Sequence, residues 1–312
     1  MGQWKYTMKV LRREWTWYLF ILVPIAGTVM FNFYPLVRTL LMSFQNNSGK
    51  MIGSVNYNIM LKDDLFRAGF TNTIYMGILT LLTNLPLAFL LAVMINGVRW
   101  WKSVFKVVYL LPMIMSMVST VMIFKFIFNP EPAGVLNYFL GMLGIKPQLW
   151  LASTRMSRES VVIMSLWKSL GYNVILFFAG LQSVPSELYE AATIDGANEG
   201  QRVWYITLPC IRNTLIFVYV TTCINVLKRF SDVFALSREY GLPGTSLMTI
   251  MLYIYRYSFA TMFAQNYGIA SAASMTLFAL IMAITALNLF TTERNDTRLK
   301  VRRIGRIGRK GR

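Results

Sequence analysis

The stretch SVPSELYEAATIDGANEGQRVWYITLPCIRN, Ser183 to Asn213, decides how the chain is read. It is acidic where its surroundings are not: Glu187, Glu190, Asp195 and Glu199 stand against Arg202 and Arg212. Apolar runs flank it, Ser160 to Gln182 interrupted only by Lys168, and Leu208 to Leu227 interrupted only by Arg212. Each can form a helix across a hydrocarbon core about 30 Å thick, which takes about 20 apolar residues. Pro185 suits a first helical turn, Glu187 and Glu190 lie near the positive end of that helix's dipole, and Gly196 supplies a stop or sharp bend. A second short helix over Glu199 to Ile206 then leads to Leu208-Pro209. The expectation is a helix-bend-helix at a membrane surface, rigidly tied to two spans.

Four more runs have membrane-crossing length: Trp15 to Val37, Ala68 to Val98, Val107 to Phe124 continuing past Lys125 to Phe128, and Tyr257 to Thr292, which holds a helix over Tyr267 to Phe290. The predicted fold is an all-α integral membrane protein with six transmembrane helices near 15–37, 72–96, 105–128, 160–182, 208–231 and 267–290. One transmembrane domain covers 1–292, and a basic tail covers 293–312. Pro24, Pro86 and Pro112 fall inside three of these helices and are read as kinks. The first run follows Lys5, Lys9, Arg12 and Arg13, but it is too long for a signal-peptide core and ends in Asn-Phe-Tyr-Pro, so it is read as helix one. Composition agrees with this class: 55% of the residues are apolar and 14% charged, which excludes a disordered chain and an ordinary soluble enzyme.

Charge then sets orientation. Of 31 Lys and Arg against 13 Asp and Glu, eighteen fall on the side shared by both termini, the loop after helix two and the loop after helix four. Nine fall in the three opposite loops, so the termini are expected in the cytoplasm, with the chain in a bacterial or archaeal cytoplasmic membrane. The 183–207 loop lies on that same side, where topology alone would make it basic. Something other than lipid must face it. The tail from Arg294 to Arg312, nine of nineteen residues basic, reads as an anchor on anionic lipid. It has no aromatic residue for stacking, so nucleic acid is not expected as a partner, and Gly305, Gly308 and Gly311 are expected to interrupt a helix there.

Little in the chain suggests catalysis. There is no histidine, no paired carboxylate inside a span and no Gly-x4-Gly-Lys-Ser/Thr loop for nucleotide phosphates, so no catalytic residue, metal site or bound cofactor is expected. Cys210 and Cys223, about 20 Å apart along a helix, read as apolar filler. Helix five does carry a polar stripe: Thr214, Thr221, Asn225, Lys228 and Asp232 recur at spacings of 7, 4, 3 and 4 and fall within about 60° of one face. Polar groups at membrane depth are costly unless they face a cavity or partner, so Thr221, Asn225, Lys228 and Asp232 are candidates for a solute path, with the alternative that the threonines bond to their own helix. Lys168 and Tyr172, one turn apart in helix four, are the second candidates; for Lys168 an interhelical role is the alternative. Gly268, Ala270, Ala272 and Ser274 in helix six have the spacing of close helix packing. A stand-alone channel or carrier would explain the stripe but not the acidic loop.

The loop resembles a known motif. Glu190-Ala191-Ala192, Gly196 after three intervening residues, Ile206 after nine more, and Leu208-Pro209 match the pattern in the membrane-spanning subunits of binding-protein-dependent ABC importers. WKSLGYNVILFFAGLQSVPSELYEAATIDGA, Trp167 to Ala197, is similar to the carbohydrate-importing branch, as are LYIYRYSF from Leu252 and YGIASAAS from Tyr267. The resemblance spans roughly Phe70 to Phe290, with Gly200 and Val203 where bulky residues are usual. It implies a type I importer fold in which the 183–207 loop is a coupling helix docked in a cleft of an ATP-binding subunit. Glu190 would pair with a basic group there, Ala191, Ala192 and Gly196 would allow close approach, and Asp195, Ile206, Leu208 and Pro209 would complete the coupling surface. It also implies ATP and Mg on that partner, a second permease subunit that is a different chain, an external solute-binding protein, and a carbohydrate, expected to be an oligosaccharide, as cargo. Cargo of the same family that is anionic or not a sugar is the alternative.

Overall fold

The computed structural model describes residues 15–98 and 102–310. The N-terminal basic residues on which part of the orientation argument rests lie outside them. Fifteen α-helical segments follow one another among the described residues, joined by short 3-10 and π turns. Helix α1 (Trp15–Thr28) runs through a π turn at Val29–Phe33 into α2 (Tyr34–Met42), and α3 (Val55–Lys62) precedes α4 (Asp64–Gly97). Next come α5 (Lys102–Ile114), α6 (Met117–Ile127), α7 (Val135–Met142) and α8 (Ser157–Gln182). The loop helices are α9 (Ser186–Ile194), α10 (Glu199–Arg202) and α11 (Leu208–Cys210). After them come α12 (Arg212–Leu227), α13 (Ser231–Ser237), α14 (Ile250–Ser258) and α15 (Tyr267–Lys310). Four helices have the length and apolarity of membrane spans, and counting two bent pairs as one span each makes six.

Those two pairs depart from the single helices expected at 105–128, with a kink at Pro112, and at 208–231. The third span breaks by 101° between Ile114 and Met117. Pro112 lies in the last turn of α5, and Ser116 then turns extended (φ −63°, ψ 149°) and starts α6 by accepting a hydrogen bond from the Ser119 amide at 3.1 Å. A serine capping residue inside an apolar run ends one helix and begins another. The fifth span bends by 73° at Ile211. Helix α12 then stops at Leu227, and Asp232 belongs to α13. The polar stripe is therefore not one continuous helical face. Pro86, by contrast, is carried inside α4 without ending it.

Helix ends also lie further out than apolarity alone implies. Helix α4 begins at Asp64 rather than near 72, because the Asp63 carboxylate accepts from the Leu65 amide at 2.9 Å and caps the helix outside the apolar run. Helix α15 runs on to Lys310 through Gly305 and Gly308, where an interruption was expected. Each glycine costs only about 1 kcal/mol in a helix, and the Arg, Lys, Leu and Ile residues around them are tolerant of helix.

Packing inside a membrane gains little from the hydrophobic effect, so close approach and hydrogen bonds must hold the bundle. Helix α4 lies along α8, with Ala88 and Ala92 fully buried between them. At Gly180 an added Cβ would sit 2.8 Å from the Thr214 hydroxyl, which places that threonine in the α8–α12 packing seam. In α15 a Cβ at Gly268 would collide with the Gln45 carbonyl, and Ala270 and Ala272 are buried. Two apolar clusters result. At the end bearing the 183–207 loop are Ala88, Ala92, Val174, Phe177, Leu181 and Val218; toward the other end are Met76, Phe124, Val161, Met164, Leu227 and Tyr253. At that far end Asp63 accepts from the hydroxyls of Tyr253 (2.9 Å) and Tyr257 (2.8 Å), tying α14 to the start of α4. Burial pushes both phenols above their ordinary range, and the bonds to the Asp63 carboxylate add to the shift.

Candidate functional site: a polar layer and an exposed loop

Between the two apolar clusters the spans change character. Helix α4 presents Thr80 and Asn84, α8 presents Ser165, Ser169 and Asn173, and α12 presents Thr222. They form one hydrogen-bonded layer: Asn84 donates to Ser169 (3.0 Å), and Asn173 donates to Asn84 (2.6 Å) and Thr222 (3.3 Å). Next to it lies a buried ion pair. The Arg229 guanidinium, 3% exposed, meets Asp232, 6% exposed, at 2.9 Å, and also donates to Thr80 (3.0 Å) and Ser165 (3.2 Å). Asp232 accepts the Val233 amide as well, while Arg229 Nε has no hydrogen-bond partner. This layer walls a cavity of about 240 Å³. The residues facing it include Met117, Tyr172, Asn173, Asn225, Lys228 and Arg229. Such a concave space with convergent amides, hydroxyls and the aromatic rings of Tyr172 and Phe230 can hydrogen-bond a polyhydroxylated solute and stack against it.

The expected path residues divide against this geometry. Tyr172, Asn225, Lys228 and Asp232 all face the cavity. Lys228 is exposed, caps the end of α12, and has no ion-pair partner among the described residues. Asp232 reaches the cavity from α13 and is held by Arg229, so its carboxylate is committed to the protein. Thr221 is not on the cavity: its hydroxyl bonds back to the carbonyls of Phe217 (2.8 Å) and Val218 (3.1 Å), and the neighbouring Thr222 takes its place. Lys168 is not on it either, because its ammonium points at the backbone carbonyls of the broken third span.

At the other end, the 183–213 stretch folds as a helix, a bend and a second helix. Pro185 precedes α9, and Gly196 follows it with φ +76°, a conformation that favours glycine. Asn198 and Gln201 then form a reciprocal cap, each side chain bonding the other's amide at 2.8 and 2.9 Å, and start α10. The π turn Val203–Thr207 joins α10 to α11, and Tyr189 bonds Thr207 at 3.0 Å across the hairpin. Glu190, Ala191, Asp195, Gly196 and Pro209 are exposed, whereas Ala192, Ile206 and Leu208 are half-buried. Around them Ile194 is 87% exposed, Trp204 71% and Tyr205 79%. Large apolar side chains presented together with carboxylates on a rigid hairpin form a surface suited to another protein.

The model of one protein family, the binding-protein-dependent transport system inner membrane component, matches residues 84–292 and so takes in both the cavity and the loop. The chain belongs to that family. This permease is 31% identical to the arabinooligosaccharides transport system permease protein AraP of Halalkalibacterium halodurans over 88% of its own length and 87% of the relative's. It is 30% identical to the multiple sugar-binding transport system permease protein MsmF of Streptococcus mutans over 90% and 96%. In three dimensions it resembles, with a TM-score of 0.81 and 26% identity over 93% of this chain and 99% of the other, a chain of a bacterial ABC transporter that imports the acidic polysaccharide alginate. The permease is thus a multi-pass inner-membrane protein with the type I importer fold, working with a binding protein.

Several polar groups of the permease escape a reading of its sequence. Arg229 sits beside Lys228 and there looks like one more charge at a helix end, while Asn84 and Asn173 lie singly in apolar runs. The signal was present, since an amide at the middle of a span is costly without a partner. What it lacked was the partner, which lies 89 residues away in sequence.

Proposed function

We propose that this chain forms half the pore of an ATP-driven importer that carries an oligosaccharide across the cytoplasmic membrane, with both termini and the 183–207 loop in the cytoplasm. The observation that carries the reading is the polar cavity at mid-span. A lipid-facing bundle has no use for a layer of amides, hydroxyls and a cation around open space, whereas a solute shedding its hydration shell needs one. The likeness to permeases of oligosaccharide systems and to the alginate importer supports a sugar as the solute. In this reading Asn225, Asn173 and Lys228 offer hydrogen bonds to sugar hydroxyls, and the half-exposed Tyr172 ring offers an apolar face to a pyranose.

The energy comes from elsewhere. The hairpin of α9 and α10 docks on a separate ATP-binding subunit that holds ATP and Mg; Glu190 faces a basic group there, and Ala191, Ala192, Asp195 and Gly196 let the surfaces approach. Ile206, Leu208 and Pro209 transmit the motion of the hairpin into α12, on which the cavity residues sit. A second permease chain closes the open side of the cavity, and an external binding protein delivers the sugar. The test is uptake into vesicles of labelled neutral and uronate oligosaccharides by the assembled transporter. Asn225→Leu is expected to lower uptake at least tenfold while recovery of the complex and its basal ATP hydrolysis stay near wild type. Loss of assembly in step with uptake would make Asn225 a packing residue and remove the cavity from the path.

A further inference from the structure

We infer that Lys168 is a positioning residue that clamps the break in the third span and thereby sets one wall of the transport cavity; the inference rests on the transport reading above. Helix α5 ends at Ile114, inside the membrane, and the chain turns by 101° before α6 begins at Met117. The carbonyls of its last turn have no following turn to bond to them, and in hydrocarbon no water replaces it. The Lys168 ammonium, from near the middle of α8, donates to the carbonyls of Pro112 (3.4 Å), Met113 (3.4 Å) and, most closely, Met115. The three N–H groups of one ammonium thus face carbonyls in the last turn of α5 and just past its end, at the negative end of a helix dipole.

The surroundings support a clamp rather than a stray charge. Lys168 is half-buried and has no ion-pair partner among the described residues, so the carbonyls are what neutralise it. One turn further along α8, Gly171 lies so close to α5 that an added Cβ would collide with the Tyr109 carbonyl. The two helices are thus pressed together immediately beside the contact. On the far side of the break, Ser116 caps α6, and Met117, its first residue, faces the cavity. Tyr172, one turn beyond Lys168, faces the same cavity. Lys168 therefore touches no solute, yet it joins the two elements that place Met117 and Tyr172.

The test uses the assembled transporter in lipid nanodiscs and compares Lys168→Met with Lys168→Arg. In Lys168→Met, amide hydrogen exchange over residues 116–120 should rise at least tenfold while exchange in the rest of α8 stays unchanged. Uptake of the labelled oligosaccharides should fall at least tenfold in maximal rate at an unchanged half-saturating concentration, with basal ATP hydrolysis within twofold of wild type. Lys168→Arg, which keeps charge and donors, should restore both readouts. Should the methionine variant fail to assemble, Lys168→Gln, which keeps two donors, is measured in its place against the same criteria. Unchanged exchange at 116–120 would overturn the clamp, and raised exchange with normal uptake would overturn the positioning role. If the wild type carries no oligosaccharide while exchange still rises, the clamp stands and the substrate reading fails alone.

Discussion

Replacing Asp232 by asparagine tests whether the cavity is built around a buried charge pair. The substitution keeps size and one acceptor oxygen, so the 2.9 Å contact with Arg229 Nη1 can persist in shape while the neutralising charge is lost. Arg229 would then be left with two neutral hydroxyls, Thr80 and Ser165, and with Nε still unpartnered. Both side chains are almost fully enclosed, at 3% and 6% exposure, so water cannot take over the role of the carboxylate. Leaving one member of such a pair uncompensated typically costs about 3 to 5 kcal/mol. At 1.4 kcal/mol per factor of ten, that is a loss of roughly 100-fold to 1,000-fold or more in the folding equilibrium. The assay is the rate of thermal inactivation of the purified complex in lipid nanodiscs, with uptake measured on the surviving fraction. Asp232→Asn should inactivate much faster than wild type, and the double variant Arg229→Met/Asp232→Leu should recover most of the lost stability, because removing both charges also removes the desolvation cost. Wild-type persistence of Asp232→Asn, or a double variant no better than the single, would refute the argument that this pair holds the cavity together.

Gly196→Trp and Glu190→Lys should weaken recovery of the ATP-binding subunit at least a hundredfold and abolish ATP-driven uptake, with membrane insertion unaffected, as read by pull-down and vesicle transport. An added Cβ at Gly196 meets nothing within 4 Å among the described residues, so apart from the strain of its positive φ a loss in the tryptophan variant points to the docked partner. A reporter inserted near Gly244 should behave as external and one fused after Arg312 as cytoplasmic; the opposite result at Gly244 would reverse the sidedness assigned to the hairpin.

Much of this molecule was legible without coordinates because membrane physics acts on sequence directly. A run of about 20 apolar residues has few alternatives to a spanning helix, and the hairpin announced itself through Pro185, Gly196 and acidic residues where basic ones were due. These are local signals, and local chemistry answers them: Pro185 leads into α9 and Gly196 takes the left-handed turn. The lining of the cavity was only half legible. A helical wheel assumes an unbroken helix, so it joined Asp232 to Asn225 and counted Thr221, although α12 stops at Leu227 and Thr221 bonds to its own backbone. Asn225 and Lys228 do face the cavity, Asn225 from within α12 and Lys228 from its C-terminal cap.

The amino-acid sequence by itself determined the class of the molecule and the turns of the hairpin, since each depends on residues close together along the chain. Tertiary structure alone decided that Arg229, paired with Asp232 three residues on, also reaches Thr80, 149 residues away. It alone decided that Asn84, Asn173 and Thr222 share one polar layer, and that Lys168 spends its donors on the broken third span instead of on solute. The physical reason is the same in each case. A polar group at membrane depth must be satisfied, but which partner satisfies it depends on how helices distant in sequence are brought side by side.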